Sequence, residues 1–328
     1  MKTYLNATTI LLSLFFLHGC GNDNSTQSPP SAATMLGDIY FDRTTHQFNG
    51  VDVRNIFTIK DDGSGLTQIT TSPSSQEWDN VSPAVSPDGT RIAFLTMRHR
   101  NDINNGNTSE IYVMDINGSN QIRLSNNSGI DDDAPRWCDN NRLLYSSEGS
   151  VIEIDAADIN NDGNGDNPNI IVVAVNNDYN YSVDCSTSSI VFVRDPGRYV
   201  VLTDRNGVSE NYLGGGGLFT SEQPRFSPNG SRIAYGSTHI DPSSTIRDVF
   251  VMDAADVDNN QQGDNRQRIT TSSLGSGSSN PAWSPASSHI VFSRDVGGNY
   301  ELRKIELSTS AETLIVAAPP NGFVGDWD

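Results

Sequence analysis

Positive charge is scarce in this 328-residue chain. Lys and Arg number 21 against 40 Asp and Glu, a formal charge of −19 at pH 7. A surface so acidic repels the phosphates of nucleic acid and of anionic lipid, which excludes both as partners and favours basic partners or cations. Its minimum effect is solubility. Histidine is scarce as well. Apart from His18 there are His46, His99, His239 and His289, with no HExxH and no close pair to hold zinc. No G-x-S-x-G elbow occurs, and the glycines at 214–217 lack the strand–turn–helix setting of a phosphate loop. Segments of helical periodicity are few. The one apolar run near the N-terminus, residues 10–17, is too short to span a bilayer. The chain therefore carries no catalytic signature. Carboxylates dispersed in sequence are the one catalytic arrangement left open.

What the chain has in quantity is short β-rich runs separated by turn residues. Residues 82–125 hold four of them. Residues 83–86 are extended, and Pro87-Asp88-Gly89 is a turn, because proline presets φ and glycine accepts positive φ. Residues 92–95 form a second run. After a polar loop come residues 111–114, then Asn117-Gly118, a strong hairpin signal, and the alternating residues 121–124. Such a four-stranded meander cannot cover both of its own faces, so neighbouring copies must. Copies begin at Pro224-Arg-Phe-Ser-Pro-Asn-Gly230 and at Asn280-Pro-Ala-Trp-Ser-Pro285, with degenerate ones around Ala134-Pro-Arg-Trp-Cys138 and Tyr181-Ser-Val-Asp-Cys185. From Pro83 through Pro135, Ser182, Pro224, Pro281 and Gly325 the spacings are 52, 47, 42, 57 and 44 residues. They lie around the roughly 40–50 residues of a propeller blade.

The motif SPAVSPDGTRIAF…EIYVMDINGSNQIRLS resembles the WD40-like PD40 repeat of TolB-type propellers. The resemblance extends over residues 38–328 and is sharpest in the second and fifth blades. It implies an all-β, six-bladed β-propeller of four-stranded antiparallel blades that uses the region around the channel mouth for protein partners. TolB itself carries an α/β domain ahead of its propeller. Here only a short linker is expected before the first strand, so TolB's specific role does not transfer whole.

The two ends fit a closed ring. Residues 38–41, 55–59 and 68–70 match the second, third and fourth strands of a blade, and residues 323–328 match the missing innermost one. Trp327 then falls at the Trp137 and Trp283 position. Residues 1–19 read as a signal peptide. Leu17-His18-Gly19-Cys20 resembles a bacterial lipobox, with Cys20 as the lipidated residue, and residues 20–37 read as a flexible polar tether. Gly21 rather than Asp follows the cysteine, which by the enterobacterial sorting rule points to the outer membrane.

Cys138 and Cys185 both align with the repeat serine, in adjacent blades, where an oxidising compartment allows a disulfide. The other reading is two small buried side chains in place of Ser. Two enlarged hairpins are acidic. In the first, Asp158, Asn160, Asp162, Asn164 and Asp166 follow the alternation of an EF-hand-type calcium loop, although Asn169 stands where a Glu is expected. The second, weaker match is Asp256, Asp258 and Asn260. Calcium is the only cofactor expected. A further set, Asp79, Asp131, Asp132, Asp133, Asp178 and Glu222, lies just before the innermost strands. A propeller gathers these connections at one mouth, where they would focus negative potential on a basic segment or cation.

The resulting expectation is a monomeric, lipid-anchored propeller of the bacterial envelope that binds an envelope protein or basic peptide. It would touch the membrane only through its lipid and would not bind nucleic acid. The competing expectation is a calcium-dependent glycan hydrolase or lyase on the same fold. A ligand-sensing or purely structural surface protein is the third.

Overall fold

A computed structural model describes residues 37–328 except 77, 99–107, 127–131, 159–164, 173–177, 215–220, 239–245, 259, 261–262, 274–275 and 319–320. The expected signal peptide, Cys20 and the tether up to residue 36 lie outside the described residues.

Blade one contains β1 (Asp38–Phe48), β2 (Val51–Lys60) and β3 (Thr67–Gln68). Blade two is β4 (Asn80–Val85), β5 (Arg91–Thr96), β6 (Glu110–Asp115) and β7 (Ile122–Arg123). Blade three is β8 (Arg136–Trp137), β9 (Arg142–Ser147), β10 (Ser150–Asp155) and β11 (Asn169–Val172), and blade four is β12 (Tyr179–Cys185), β13 (Ser189–Asp195), β14 (Tyr199–Asp204) and β15 (Glu210–Gly214). Blade five is β16 (Ser221–Phe226), β17 (Arg232–Ser237), β18 (Asp248–Asp253) and β19 (Gln267–Arg268). Blade six is β20 (Ser278–Trp283), β21 (His289–Asp295), β22 (Tyr300–Glu306) and β23 (Glu312–Val316). The last strand, β24 (Gly322–Trp327), pairs antiparallel with β1 as the inner strand of blade one, in the order β24-β1-β2-β3. Six four-stranded sheets result, closed as the repeat and the matching ends predict.

Period-two alternation explains why no blade stands alone. Strand β5 sends Ile92 and Phe94 into the seam with blade one, beside Tyr40, Ile56 and Met114. It sends Ala93 and Leu95 into the seam with blade three, beside Trp137, Leu143 and Ile154. Each of the other seams holds a similar apolar cluster. The turns are written locally. Asp88 Oδ1 accepts from Ser86 Oγ (2.7 Å), Thr90 N (3.0 Å) and Thr90 Oγ1 (2.7 Å), and Gly89 takes the positive φ of +68°. Asn229 and Gly230 repeat this arrangement in blade five.

The inner strands add stitches between neighbours. The Trp137 indole donates to the Ala84 carbonyl of the preceding blade (2.9 Å), and Trp283 donates to the Arg225 carbonyl (3.0 Å). In the same layer Asp326 accepts from Val85 N (2.8 Å) and Asp184 from Phe226 N (2.7 Å). Cys138 and Cys185 are joined across the seam of blades three and four, with their Cα atoms 5.4 Å apart.

The alignment of blade four needs one correction. Ser186, not Cys185, holds the repeat-serine position: its amide donates to Ser189 O (2.8 Å) and its Oγ accepts Ser189 N (3.1 Å), as Ser86 does with Arg91. Cys185 therefore stands where the other blades carry Trp137, Phe226 and Trp283, and Val183 rather than Ser182 is the counterpart of Pro83. The turn after β12 is shorter than its counterparts, which displaced the count by one residue.

Candidate functional site: the two mouths of the channel

The inner strands begin at one mouth and end at the other, and the sequence-expected acidic set lies at the beginning. The structure brings much of it into existing bonds. Asp79 receives Arg54 of blade one, Nη2 to Oδ2 at 3.0 Å and the Arg54 amide to Oδ1 at 2.8 Å. Glu222 is held by Arg198 and by Arg247, the latter at 2.8 Å. Asp133 accepts the Ser182 amide of the next blade (2.6 Å) and the Ala134 amide (2.8 Å). Asp132 is buried and bridges to Ser147. Asp178 is half-buried and makes no ion pair among the described residues. Asp131 lies outside them. The arginines were missed in the sequence because each belongs to a different blade or connection from the acid it meets, and only their shared height in the ring would have signalled the pairing.

Arg54 also reaches Asp42 of β1, Nη1 to Oδ2 at 3.1 Å, and Asp42 Oδ1 accepts Ser82 N at 3.1 Å. Burial pushes the Asp42 carboxyl up to about 6, against the pull of Arg54 and the Ser82 amide. The folded protein therefore holds this proton more tightly than the unfolded chain, whose value is near 3.8. The stability from this proton grows as pH falls from about 6 to 4 and is absent above that window. Asp42→Asn, which mimics the protonated group, should accordingly compare better with wild type at pH 7.5 than at pH 4.5. Paired melting curves check this, and a pH-independent difference would refute it.

The two acidic hairpins share a construction. In the second, Asp253 N donates to Asp264 O (2.8 Å), Asp264 N donates to Ala255 O (3.1 Å) and Asn265 Nδ2 donates to Asp253 Oδ2 (2.7 Å). In the first, Asp155, Ala157, Asp166 and Asn167 repeat these bonds. In each, a glycine amide (Gly165, Gly263) docks on the preceding blade at the Leu124 or Leu213 carbonyl. In the second hairpin Asp256, Asp258 and Asp264 converge, with one oxygen of each within 4.8 Å of the others. Asp264 is the ninth position counted from Asp256 and was absent from the expected ligand set. The Asn260 backbone amide donates to Asp256 Oδ1 (3.1 Å) and Asp258 Oδ1 (3.2 Å), and its Nδ2 donates to Asp258 Oδ2 (2.8 Å). Three carboxylate oxygens at this spacing fit a hard cation that takes six to eight oxygens. In the first hairpin Asn160, Asp162 and Asn164 lie outside the described residues, and Asp158 and Asp166 are half-buried.

At the opposite mouth the residues at the ends of the inner strands line a cavity of about 720 Å³. Its wall includes Arg136, Asp184, Arg225 and Asp326, the tryptophans 137, 283 and 327, and the Cys138–Cys185 bridge.

A ring of six four-stranded antiparallel sheets around an axial channel, closed by its own C-terminal strand, defines a six-bladed β-propeller. The chain belongs to the PD40 family, the TolB beta propeller domain, which residues 66–262 match. No curated protein matches it in sequence. Among solved structures it is similar to TolB from Acinetobacter baumannii, with a TM-score of 0.64 at 16% identity over 89% of this chain and 66% of that one. It is also similar to hydrazine synthase from Kuenenia stuttgartiensis, with a TM-score of 0.62 at 14% identity over 88% and 46%. A nidogen/laminin complex aligns with a TM-score of 0.59 at 8% identity over 88% and 97%. The chain thus spans less than two thirds of the first two proteins. At these identities the likeness shows the fold.

Proposed function

We propose that this protein is a non-catalytic, lipid-anchored propeller of the bacterial envelope that binds another protein at the mouth where its inner strands begin. The observation that carries this reading is that Asp79, Asp132, Asp133, Asp178 and Glu222 stand just before or at the start of the inner strands of four successive blades, and so at one mouth of the ring. Membership in the TolB propeller family adds support. Because Arg54, Arg198 and Arg247 already hold Asp79 and Glu222, a basic partner must displace an arginine or settle on Asp178. Anchoring at Cys20, outer-membrane placement facing the periplasm or exterior, and a monomeric state belong to the same proposal.

The test is a pull-down from the source organism's envelope extract with residues 38–328 as bait, at low and high salt. The expected result is one or a few proteins retained at low salt, released at high salt and lost with Asp178→Lys. Asp178 is chosen because altering Asp79, Asp133 or Glu222 would also disturb the ring. No retention at any salt concentration would count against the reading.

Calcium is proposed as a structural ion of the second hairpin, on Asp256, Asp258 and Asp264 with the Asn260 side chain as a further oxygen donor. Bringing these acids together costs repulsion that a divalent cation removes. Millimolar calcium should therefore raise the melting temperature over EDTA, and Asp258→Asn should reduce that rise. Identical melting in calcium and EDTA would exclude the site.

A further inference from the structure

One position of the inner strand lines the cavity in all six blades: Ala84, Arg136, Asp184, Arg225, Ala282 and Asp326. Around the axis, Arg136, Asp184 and Arg225 are consecutive, alanines flank them, and Asp326 completes the ring. The aspartates do not serve as counterions at contact distance. Asp184 Oδ2 accepts Phe226 N, while Asp326 gives Oδ2 to Val85 N and Oδ1 to Trp327 N at 2.9 Å.

The arginines are left with little. Arg136 is 6% exposed, and its Nη1 donates to the Pro135 carbonyl (3.0 Å) while its Nε is buried without a partner. Arg225 Nη1 donates to the Pro224 carbonyl (2.8 Å). Neither guanidinium has a carboxylate oxygen within 4.0 Å among the described residues. Buried guanidinium nitrogens without a partner also occur at Arg205 and Arg247, but each of those side chains is in an ion pair with a glutamate, as Arg54, Arg123 and Arg268 are with acids of their own. Burial first, and Arg136 second, push Arg225 down to about 9, against the longer-range pull of Asp184, Asp326 and Asp133. Two like charges thus face one cavity on either side of Asp184, with no carboxylate oxygen at contact distance, an arrangement that an oxyanion stabilises through charge-assisted, forked hydrogen bonds.

We propose that Arg136 and Arg225 form a binding site for a small oxyanion, carboxylate or phosphate, within the axial cavity. The alanines at 84 and 282 leave that layer open, and about 720 Å³ admits a small molecule rather than a folded partner. The tryptophan rings and Phe226 in the wall would cover the apolar part of such a molecule.

The test is thermal denaturation of the whole propeller titrated with succinate and with inorganic phosphate, against chloride at equal ionic strength. The expected result is a saturable rise in melting temperature with one of the two oxyanions beyond that with chloride. A response to succinate alone identifies a carboxylate ligand, and a response to phosphate alone identifies a phosphate. Arg225→Gln should weaken the apparent affinity at least tenfold. Arg225→Lys keeps the charge and most of the volume, so it guards against misfolding. It removes the planar fork and should weaken the affinity severalfold. The proposal is overturned if neither oxyanion produces a saturable rise, or if Arg225→Lys responds as wild type does.

Discussion

Removing residues 323–328 should leave a protein with no cooperative melting transition near that of the full ring. Strand β24 contributes Val324 and Trp327 to the seam between blades six and one, where they pack with Ile39, Phe41, Ala282, Val291 and Leu302. Losing either side chain from such a core removes about 1.5–3 kcal/mol of burial. Ile39 and Phe41, fully buried in the intact ring, would then face solvent. The cut also removes the β1 ladder running from Ile39↔Trp327 to Asp42↔Phe323. It deprives Val85 N of its Asp326 acceptor, and an orphaned buried donor costs about 1–3 kcal/mol. Together these losses match the roughly 5–15 kcal/mol that holds a typical domain folded. Loss of β24 also leaves β1 as an unpaired edge, open to association. Circular dichroism melting and limited proteolysis of the truncated protein would show the effect. A cooperative transition within a few degrees of the full ring would mean that five complete blades and a three-stranded sixth suffice.

Breaking the Cys138–Cys185 link should produce the second large loss. The link ties adjacent blades across 47 residues of sequence. For a loop of that length the chain-entropy estimate is about 4 kcal/mol. In a protein of this size that lowers the melting temperature by roughly 6–7 °C. Cys138→Ser is the cleanest variant, because Ser86, Ser227 and Ser284 occupy the same position in other blades and Arg91, Arg232 and His289 amides bond to their hydroxyls. Cys185→Ser is less clean, since it puts a hydroxyl where Trp137, Phe226 and Trp283 stand. Wild type melted in reductant should fall to the level of Cys138→Ser. Non-reducing peptide mass spectrometry reads the bridge directly, and two free thiols with no effect of reductant would remove it.

The repeat, the blade count and the closing strand were legible in the sequence because their causes are local. Pro87-Asp88-Gly89 makes its turn through bonds between residues two apart, and Ile92-Ala-Phe-Leu95 shows both of its buried faces by alternation alone. The positions of the acidic connections were legible for the same reason, since each precedes a recognisable inner strand. Their electrostatic state was not. Asp79 meets Arg54 from 25 residues away in another blade, and Glu222 meets Arg198 of blade four and Arg247 from the β17–β18 connection of its own blade. The register of blade four also escaped, because its shortened turn carries no residue that announces the shift.

By itself, then, the sequence determined that six apolar-faced meanders must cover one another in a ring. Turn chemistry and side-chain alternation act between near neighbours and need no knowledge of the whole. Only the tertiary structure decided which charges meet. It placed Asp264 with Asp256 and Asp258, spent Asp184 and Asp326 on backbone amides, and left Arg136 and Arg225 facing one cavity. Those encounters depend on the height and rotation at which separate blades lock together. Packing across the seams sets that geometry, and no short stretch of residues encodes it.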